Sequence, residues 1–394
     1  MPRPLRLLTF GHSYCVGVNR ALAHAMTAIG GRHWHVEAAA PRYFANRGDL
    51  RPSILQVDPT EPTPVTALSA YNTGRVHLFL YGKMLKTLLA QDWDLVHCWE
   101  EPYVFAGAEA ARWTPKTTAF VFRTAQSLDK RYPPPFNFLE RSVLRRSNGW
   151  ICSGETVEAN LMNRAGYGRI PHRRIPLGVD TRRFKPNAEA RKQVRLSLGW
   201  SMVGPPVVGY SGRFVEAKGL QRLMDGLDGT KTPWRALFIG AGPMEQRLRT
   251  WAERHGDSVR IRTDVKHDQV ADYLNAMDVM ACPSVTTTSW REQFGRMMIE
   301  AFAVGLPVLG SDSGEIPYVL DQTGIVVPEQ GGDWSEALGS LLESPGQRKR
   351  LGDEGRRRAL SEFDWSIVGR SHLDFFAEVL GAHSFSELAI PVSA

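Results

Sequence analysis

An α/β protein of two domains, each built on parallel strands joined by crossover helices, is what this sequence predicts, and three features carry the prediction. The chain has 394 residues, too many for one compact core. Apolar runs of strand length alternate with helical patterns in both halves, which is how parallel strands with crossover helices read in sequence. Between the halves, Ile175-Pro176-Leu177-Gly178-Val179-Asp180-Thr181-Arg182-Arg183-Phe184-Lys185-Pro186 has the Gly and Pro punctuation of a linker.

In the first half, strands are read at 5–10, 95–99, 118–122 and 149–152, followed by helices at 21–29, 103–111, 138–145 and 156–164. In the second half, strands fall at 207–210, 236–239, 259–262, 279–282 and 307–310. Near the end, Val368, Leu373, Phe376 and Val379 recur at helical spacing, so a packed helix is read from 367 onward. Residues from about 382 read as a loose tail.

Composition limits the function classes. Charged residues at 23% and hydrophobic ones at 43% fit an ordinary globular protein rather than a disordered chain. No uninterrupted apolar run reaches the roughly 18 residues of a membrane-spanning helix. The first apolar run is too short for a secretory leader, so a cytoplasmic protein is expected. Cys15, Cys98, Cys152 and Cys282 are scattered without a Cys-x-x-Cys pair, which points to reduced thiols and away from zinc. The net charge of +7 is uneven: residues 1–184 carry 24 Lys and Arg against 14 Asp and Glu. Basic clusters at Lys130-Arg131, Arg141, Arg145-Arg146 and Arg173-Arg174 point to an anionic partner, with an anionic membrane surface as the expectation. Nucleic acid is the competing partner, but no zinc-finger, basic-zipper or aromatic RNA-binding motif accompanies the charge.

Chemistry is most legible around Glu292 and Glu300. Phe294-Gly295 reads as the end of a loop opening a helix that stops at Gly305, which places Glu292 on the loop and Glu300 in the helix. A helix start presents free N–H groups and a positive dipole end, suited to a diphosphate, while carboxylates beside it accept hydrogen bonds from sugar hydroxyls. Taken alone, such a pair would read as a solvated acidic helix start. The segment continues Ala301-Phe302-Ala303-Val304-Gly305-Leu306-Pro307-Val308, then reaches a turn at Ser313-Gly314. This ordered pattern resembles the donor-site signature of glycosyltransferase family 4, and the linker at 175–186 resembles that family's linker.

The resemblance spans most of the chain and implies a GT-B fold: two Rossmann-like domains facing each other across a cleft, with the last helix crossing back to the first domain. The expected domains are 1–176 with 367–381 on the acceptor side, 177–366 on the donor side, and a tail at 382–394. It implies that Arg213 and Lys218, on the loop leaving strand 207–210 with Gly212, clamp the donor diphosphate. The carboxyl edge of an open parallel sheet is where ligands bind. Glu300 would hold the ribose, Glu292 the transferred sugar, and backbone N–H groups near Phe294 and Gly295 would approach sugar or phosphate. Gln293 stands where the family usually has glycine, which puts the loop conformation in question. The turn Gly240-Ala241-Gly242-Pro243 and the segment Val265-Lys266-His267 are expected near the nucleotide, the latter bordering the base.

In the first domain, Gly17 is carried over as a donor-binding residue from the family's first glycine loop, which meets the phosphates and the acceptor. His12 lies on the same loop without an identifiable partner in sequence, and reads as a loop histidine more readily than as a base. Gln126 stands where many members have a histidine; it can hydrogen-bond a sugar hydroxyl but cannot act as a general base. Asp92-Trp93-Asp94 has the spacing of a metal-binding Asp-x-Asp but precedes a buried strand, so it reads as a surface turn.

The implied function is a retaining transfer of a sugar, without metal or other cofactor, from a nucleotide-diphosphate sugar to a hydroxyl of a glycan, lipid-linked or small-molecule acceptor. Sugar-nucleotide epimerisation on the same fold is the alternative activity, and a non-catalytic sugar-nucleotide-binding protein is the alternative class.

Overall fold

The structure, a computed structural model, describes residues 3–45 and 52–381. The tail read at 382–394 lies outside the described residues. The chain divides into two compact units, one formed by Met1–Pro176 with Trp365–Ala394 and the other by Leu177–Asp364.

The first unit is built on a seven-stranded parallel sheet: β1 (Leu5–Phe10), β2 (Trp34–Pro41), β5 (Val65–Leu68), β6 (Leu95–Cys98), β7 (Ala119–Thr124), β8 (Gly149–Cys152) and β9 (His172–Arg174). A two-stranded antiparallel pair, β3 (Tyr43–Phe44) with β4 (Ser53–Ile54), completes the numbering. The sheet order is β5-β2-β1-β6-β7-β8-β9. β6, β7 and β8 are buried along their whole length, because helices cover both faces of a parallel sheet. The order reverses between β1 and β6, and crevices for ligands open at such a reversal.

The helix Trp365–Val379 belongs to this first unit and packs on the helix Gly17–Gly30, burying Val368, Leu373, Phe375 and Phe376. A buried cation ties it in. Arg123, on β7, donates to Ser153 Oγ at 3.0 Å, to the Ile175 carbonyl at 3.0 Å and to His372 Nε2 at 3.3 Å. The other ring nitrogen, His372 Nδ1, lies 2.8 Å from the Val368 carbonyl one turn earlier. That nitrogen therefore carries the proton, and Nε2 offers a lone pair to the guanidinium. Burial, then Arg123, push the His372 pKa down to about 3, so the ring stays neutral.

The second unit is a six-stranded parallel sheet of β10 (Val207–Ser211), β11 (Arg235–Ile239), β12 (Val259–Arg262), β13 (Val279–Cys282), β14 (Val308–Ser311) and β15 (Gly324–Val327), in the order β12-β11-β10-β13-β14-β15. Its reversal falls between β10 and β13. Two apolar clusters line its two faces, one around Met280, Ile299 and Phe302, the other around Leu223, Phe238 and Leu338.

Strands β2, β5, β9 and β15 were not among the expected elements. β2 is rich in alanine and lacks a clear apolar run, while β5, β9 and β15 stand at sheet edges and are half-exposed, which weakens their signal. Several arginines of the basic first half are spent inside this unit. Arg146 donates to the carbonyls of Pro115 at 2.6 Å and Thr118 at 2.7 Å, so it holds a loop and is not a surface contact, contrary to its place in the expected basic patch. Arg173 pairs with Glu378, and Arg174 with Glu155 at 2.5 Å.

Candidate active site

Residues at the carboxyl ends of β10 and β13 meet at the reversal of the second sheet. The loop after β10 carries Gly212, Arg213 and Lys218; the loop after β13 carries Ser284, Trp290 and Glu292. Lys218 Nζ lies 2.5 Å from Glu292 Oε2 and 5.0 Å from the centre of the Trp290 ring. Ser284 Oγ donates to the same carboxylate oxygen at 2.9 Å. Glu292 is buried, and these two donors satisfy its Oε2.

The backbone of the loop is pinned as tightly. The Glu292 carbonyl accepts the Glu315 N–H at 3.1 Å, and a Cβ at Gly314 would stand 2.0 Å from that carbonyl oxygen. Only glycine fits there, at φ 59°. Gly295, at φ 78°, is the residue before the helix Arg296–Ala303 and has no side chain to cap it. Gln293 is exposed and does not have a positive φ, so the departure from glycine at 293 imposes no strain on the loop. The Phe294 side chain packs into the core against Phe363, with ring centres 6.2 Å apart, leaving only its backbone for a ligand.

Gly212 N–H donates to the Ile239 carbonyl at 2.9 Å, and Phe214 N–H to the Ala241 carbonyl at 2.8 Å, so the turn at 240–243 is sewn to the cationic loop. Arg213 is exposed, and among the described residues no carboxylate pairs with it. Tyr210 Oη holds its carbonyl at 2.8 Å.

Glu300 sits one turn beyond Arg296 on the same helix and is buried. Burial raises its carboxyl pKa to about 7, against the pull of Arg296 and Arg183. His267, from the segment expected beside the base, belongs to the same neighbourhood: burial, then Arg183 and Arg296, lower its pKa, and its carbonyl accepts from Arg183.

In the first unit, Gly17 is the first residue of the helix Gly17–Gly30. Gln126 is buried with both ends of its amide engaged. Its Oε1 accepts from Tyr132 Oη at 3.0 Å, and its Nε2 donates to Tyr167 Oη at 3.2 Å and Thr124 Oγ1 at 3.3 Å. Both N–H groups of the amide are thus engaged, and a sugar hydroxyl could meet only the second lone pair of Oε1. His12, without a partner in the sequence reading, has one in the structure: Glu100, at 2.6 Å from Nδ1. Asp92-Trp93-Asp94 is a surface turn, with Asp94 bound to Arg3 at 2.7 Å and Trp93 buried. Ser284, Trp290, Glu315 and Glu100 went unread in the sequence. The one available signal was position, since each of Ser284 and Glu100 follows a buried strand at the ligand edge.

Two family models cover most of the chain, "Glycosyltransferase Family 4" over residues 17–183 and "Glycosyl transferases group 1" over residues 201–358. A sucrose-phosphate synthase from Thermosynechococcus elongatus superposes with a TM-score of 0.71 at 20% identity, covering 96% of this chain and 99% of that one. The fold is therefore of the GT-B class. The chain belongs to glycosyltransferase family 4. It is 30% identical over 215 residues to a GDP-mannose-dependent monoacylated alpha-(1-6)-phosphatidylinositol monomannoside mannosyltransferase of Corynebacterium glutamicum, covering 52% of this chain and 56% of that protein. It is also 30% identical over 254 residues to a D-inositol 3-phosphate glycosyltransferase of Xylanimonas cellulosilytica, covering 61% and 59%. The chain thus spans somewhat over half the length of these two relatives.

Glu300 makes a testable contribution to stability. Its folded pKa of about 7 lies above the ordinary 4.5, so between those values the folded state holds a proton that the unfolded state has lost. Stability from this group is therefore present below pH 4.5 and is lost as pH rises towards 7, by on the order of 2–3 kcal/mol. Glu300→Gln should flatten the pH dependence of the unfolding midpoint across that window and be more stable than the parent at pH 8. Parallel pH profiles for the two proteins would rule this out.

Proposed function

We propose that the chain is a retaining glycosyltransferase that moves a sugar from a nucleoside-diphosphate sugar to a hydroxyl of an acceptor bound mainly by the first unit. The observation that carries the donor half is the Lys218–Glu292 pair at the reversal of the second sheet, with Arg213 on the same loop. Cations and a sugar-binding carboxylate meet there at the edge where open parallel sheets take ligands. Retention of configuration follows the family resemblance.

The chemistry asked of each group is simple. As the bond between the anomeric carbon and the phosphate oxygen breaks, negative charge grows on the leaving diphosphate. In this reading Arg213 and Lys218 donate to that growing charge, and such electrostatic stabilisation is the commonest large source of rate enhancement. In this reading they serve where another enzyme would use a divalent cation. Glu292, held on one oxygen by Lys218 and Ser284, keeps its other oxygen for a hydroxyl of the transferred sugar. Glu300 receives the ribose hydroxyls. The Corynebacterium relative's name supports GDP-mannose as the first donor to try, and a phosphatidylinositol-linked glycan as the first acceptor.

A membrane-facing role for the first unit has support in one helix. On Phe136–Arg146, Phe138, Arg141 and Arg145 share a face, all three exposed, with Phe138 at 58%. An aromatic among arginines suits an anionic lipid surface. Arg131 extends the basic patch. This reading makes the protein peripheral on the cytoplasmic face of a membrane. Among the described residues no helix is long and apolar enough to cross one.

Replacing Arg213 or Lys218 by alanine should lower turnover by about two to three orders of magnitude, the usual loss when one preorganised charge stabiliser is removed. Nearly normal turnover in either variant would remove the proposed mechanism. Activity should also survive EDTA, whereas loss on chelation with recovery on added magnesium would assign the phosphate charge to a metal. For the membrane reading, sedimentation with anionic vesicles should be strong at low salt and fall steeply with added salt, since each Lys or Arg near the surface contributes on the order of 1 kcal/mol and is screened within a Debye length. Charge reversal at Arg141 and Arg145 should release the protein. If it stays in the supernatant with anionic vesicles at low salt, a soluble acceptor replaces the membrane.

A further inference from the structure

The loops after β10 and β13 are pressed together at the point where Lys218 leaves the first of them. Gly219, the next residue, sits at φ 68°, and a Cβ there would stand 1.8 Å from the Pro283 carbonyl oxygen, so only glycine lets the two backbones meet. One hydrogen bond joins them directly, from the Val285 N–H to the Ala217 carbonyl at 2.9 Å. Beyond Val285 the second loop closes a tight turn. The Thr287 N–H donates to the Trp290 carbonyl at 2.7 Å, while Thr287 Oγ1 accepts the Trp290 N–H at 3.0 Å and the Ser289 N–H at 3.3 Å. Thr286 anchors the turn, its N–H donating to Glu329 Oε1 at 2.8 Å and its Oγ1 lying 2.9 Å from Ser313 Oγ. The backbone from which the Trp290 ring departs is thereby fixed.

The ring meets Lys218. Nζ lies 5.0 Å from the ring centre, over its face, and 2.5 Å from Glu292 Oε2. An indole face attracts an ammonium at that distance, more strongly as water is withdrawn, and the Lys218 side chain is only 13% exposed. Lysine has much to gain from such a contact, because its charge rides on a flexible four-carbon stem. Of three N–H donors one goes to Glu292, the indole covers one side of the ammonium, and at least one N–H remains for a ligand. Since the cation occupies that face, the same face does not serve as a platform for a sugar.

We propose that Trp290 is a positioning residue for the donor diphosphate: its indole holds the Lys218 ammonium beside Glu292, so that the cation is in place before the ligand arrives. The assignment rests on the donor reading above, in which Lys218 meets the diphosphate. Without the ring, Lys218 still has Glu292 as a partner, but its stem gains freedom to swing into water, and part of the ligand's binding energy goes to ordering it again. Trp290 acts through Lys218, and its effect vanishes where Lys218 is absent.

That dependence is the test, and it reads binding, so no acceptor is needed. The Kd of the full chain for GDP and for UDP is measured by calorimetry, and the tighter of the two is followed through Trp290→Leu, Lys218→Ala and the double variant. Trp290→Leu should weaken binding by about tenfold, within the range expected for a largely desolvated ammonium on an indole face. Trp290→Phe, which keeps a ring face, should recover most of the loss. On the Lys218→Ala background, Trp290→Leu should change the Kd by less than about twofold, the signature of two residues that work as one unit. Should Trp290→Leu fail to fold, Trp290→Met, a long apolar side chain without a ring, takes its place in the same cycle. An unchanged Kd in Trp290→Leu overturns the assignment, and so does a loss of equal size with and without Lys218, which would mean that the indole touches the nucleotide itself or merely supports the loop. If Lys218→Ala binds as tightly as the parent, the diphosphate contact of Lys218 falls and this role of Trp290 falls with it, while donor binding stands. A parent protein that binds neither nucleotide removes the donor reading as well.

Discussion

A single reversal of strand order in each parallel sheet decides where this chain can place chemistry. In a parallel sheet the backbone of every strand is satisfied by its neighbours, and crossover helices close both faces, so polar side chains have almost no outlet except at the strands' carboxyl ends. Where the order reverses, the two adjacent loops leave in opposite directions and a crevice opens between them. In the second unit the loops after β10 and β13 flank that crevice, and Lys218 and Glu292 meet there. In the first unit the loops after β1 and β6 flank it, and His12 and Glu100 meet there. In each pair the carboxylate is buried and is held by a hydroxyl as well as by the cation or imidazole, Ser284 in one case and Tyr81 in the other.

Environment gives Glu292 and Glu300 different properties although only eight residues separate them. Glu292 has a lysine and a serine within hydrogen-bond reach of one oxygen. Glu300 is equally buried, but Arg296 and Arg183 act on it only through space, and desolvation wins, moving its pKa to about 7. A ligand that offers hydroxyl donors to Glu300 would favour the carboxylate and expel the proton, so binding of such a ligand and proton release would be coupled at this residue.

Much of this was legible beforehand, for physical reasons that also mark where legibility ends. The strands of both sheet centres announced themselves because full burial on two faces demands unbroken apolar runs, as in β6, β8 and β13. The order Glu292, Phe294-Gly295, Glu300 could be read as loop then helix because the glycine before the helix and Gly305 after it are local signals. The partners of those residues could not. Glu100 is 88 positions from His12, and Glu292 is 74 from Lys218, separations that only the sheet order closes. Gln126 shows the opposite limit: its chemical capacity was plain in sequence, but its engagement by Tyr132, Tyr167 and Thr124 is a property of packing alone.

Charge counting met the same limit. The first 184 residues carry an excess of ten positive charges, yet a guanidinium is also the side chain best suited to bridging several backbone carbonyls at once, with five donors in a rigid fork. Arg146 is used that way, Arg123 joins the Ile175 carbonyl to Ser153 and His372, and Arg20 is buried against Glu61 and the Tyr14 carbonyl. Such residues count towards net charge and still present little of it to a partner. Of the expected basic clusters, Lys130-Arg131 stay exposed, as does the face of Phe136–Arg146 that sets Arg141 and Arg145 beside Phe138. An exposed aromatic in the middle of that face distinguishes it from a merely solvated basic helix, because burying the ring in an interface is favourable in itself while the arginines select a surface of opposite sign.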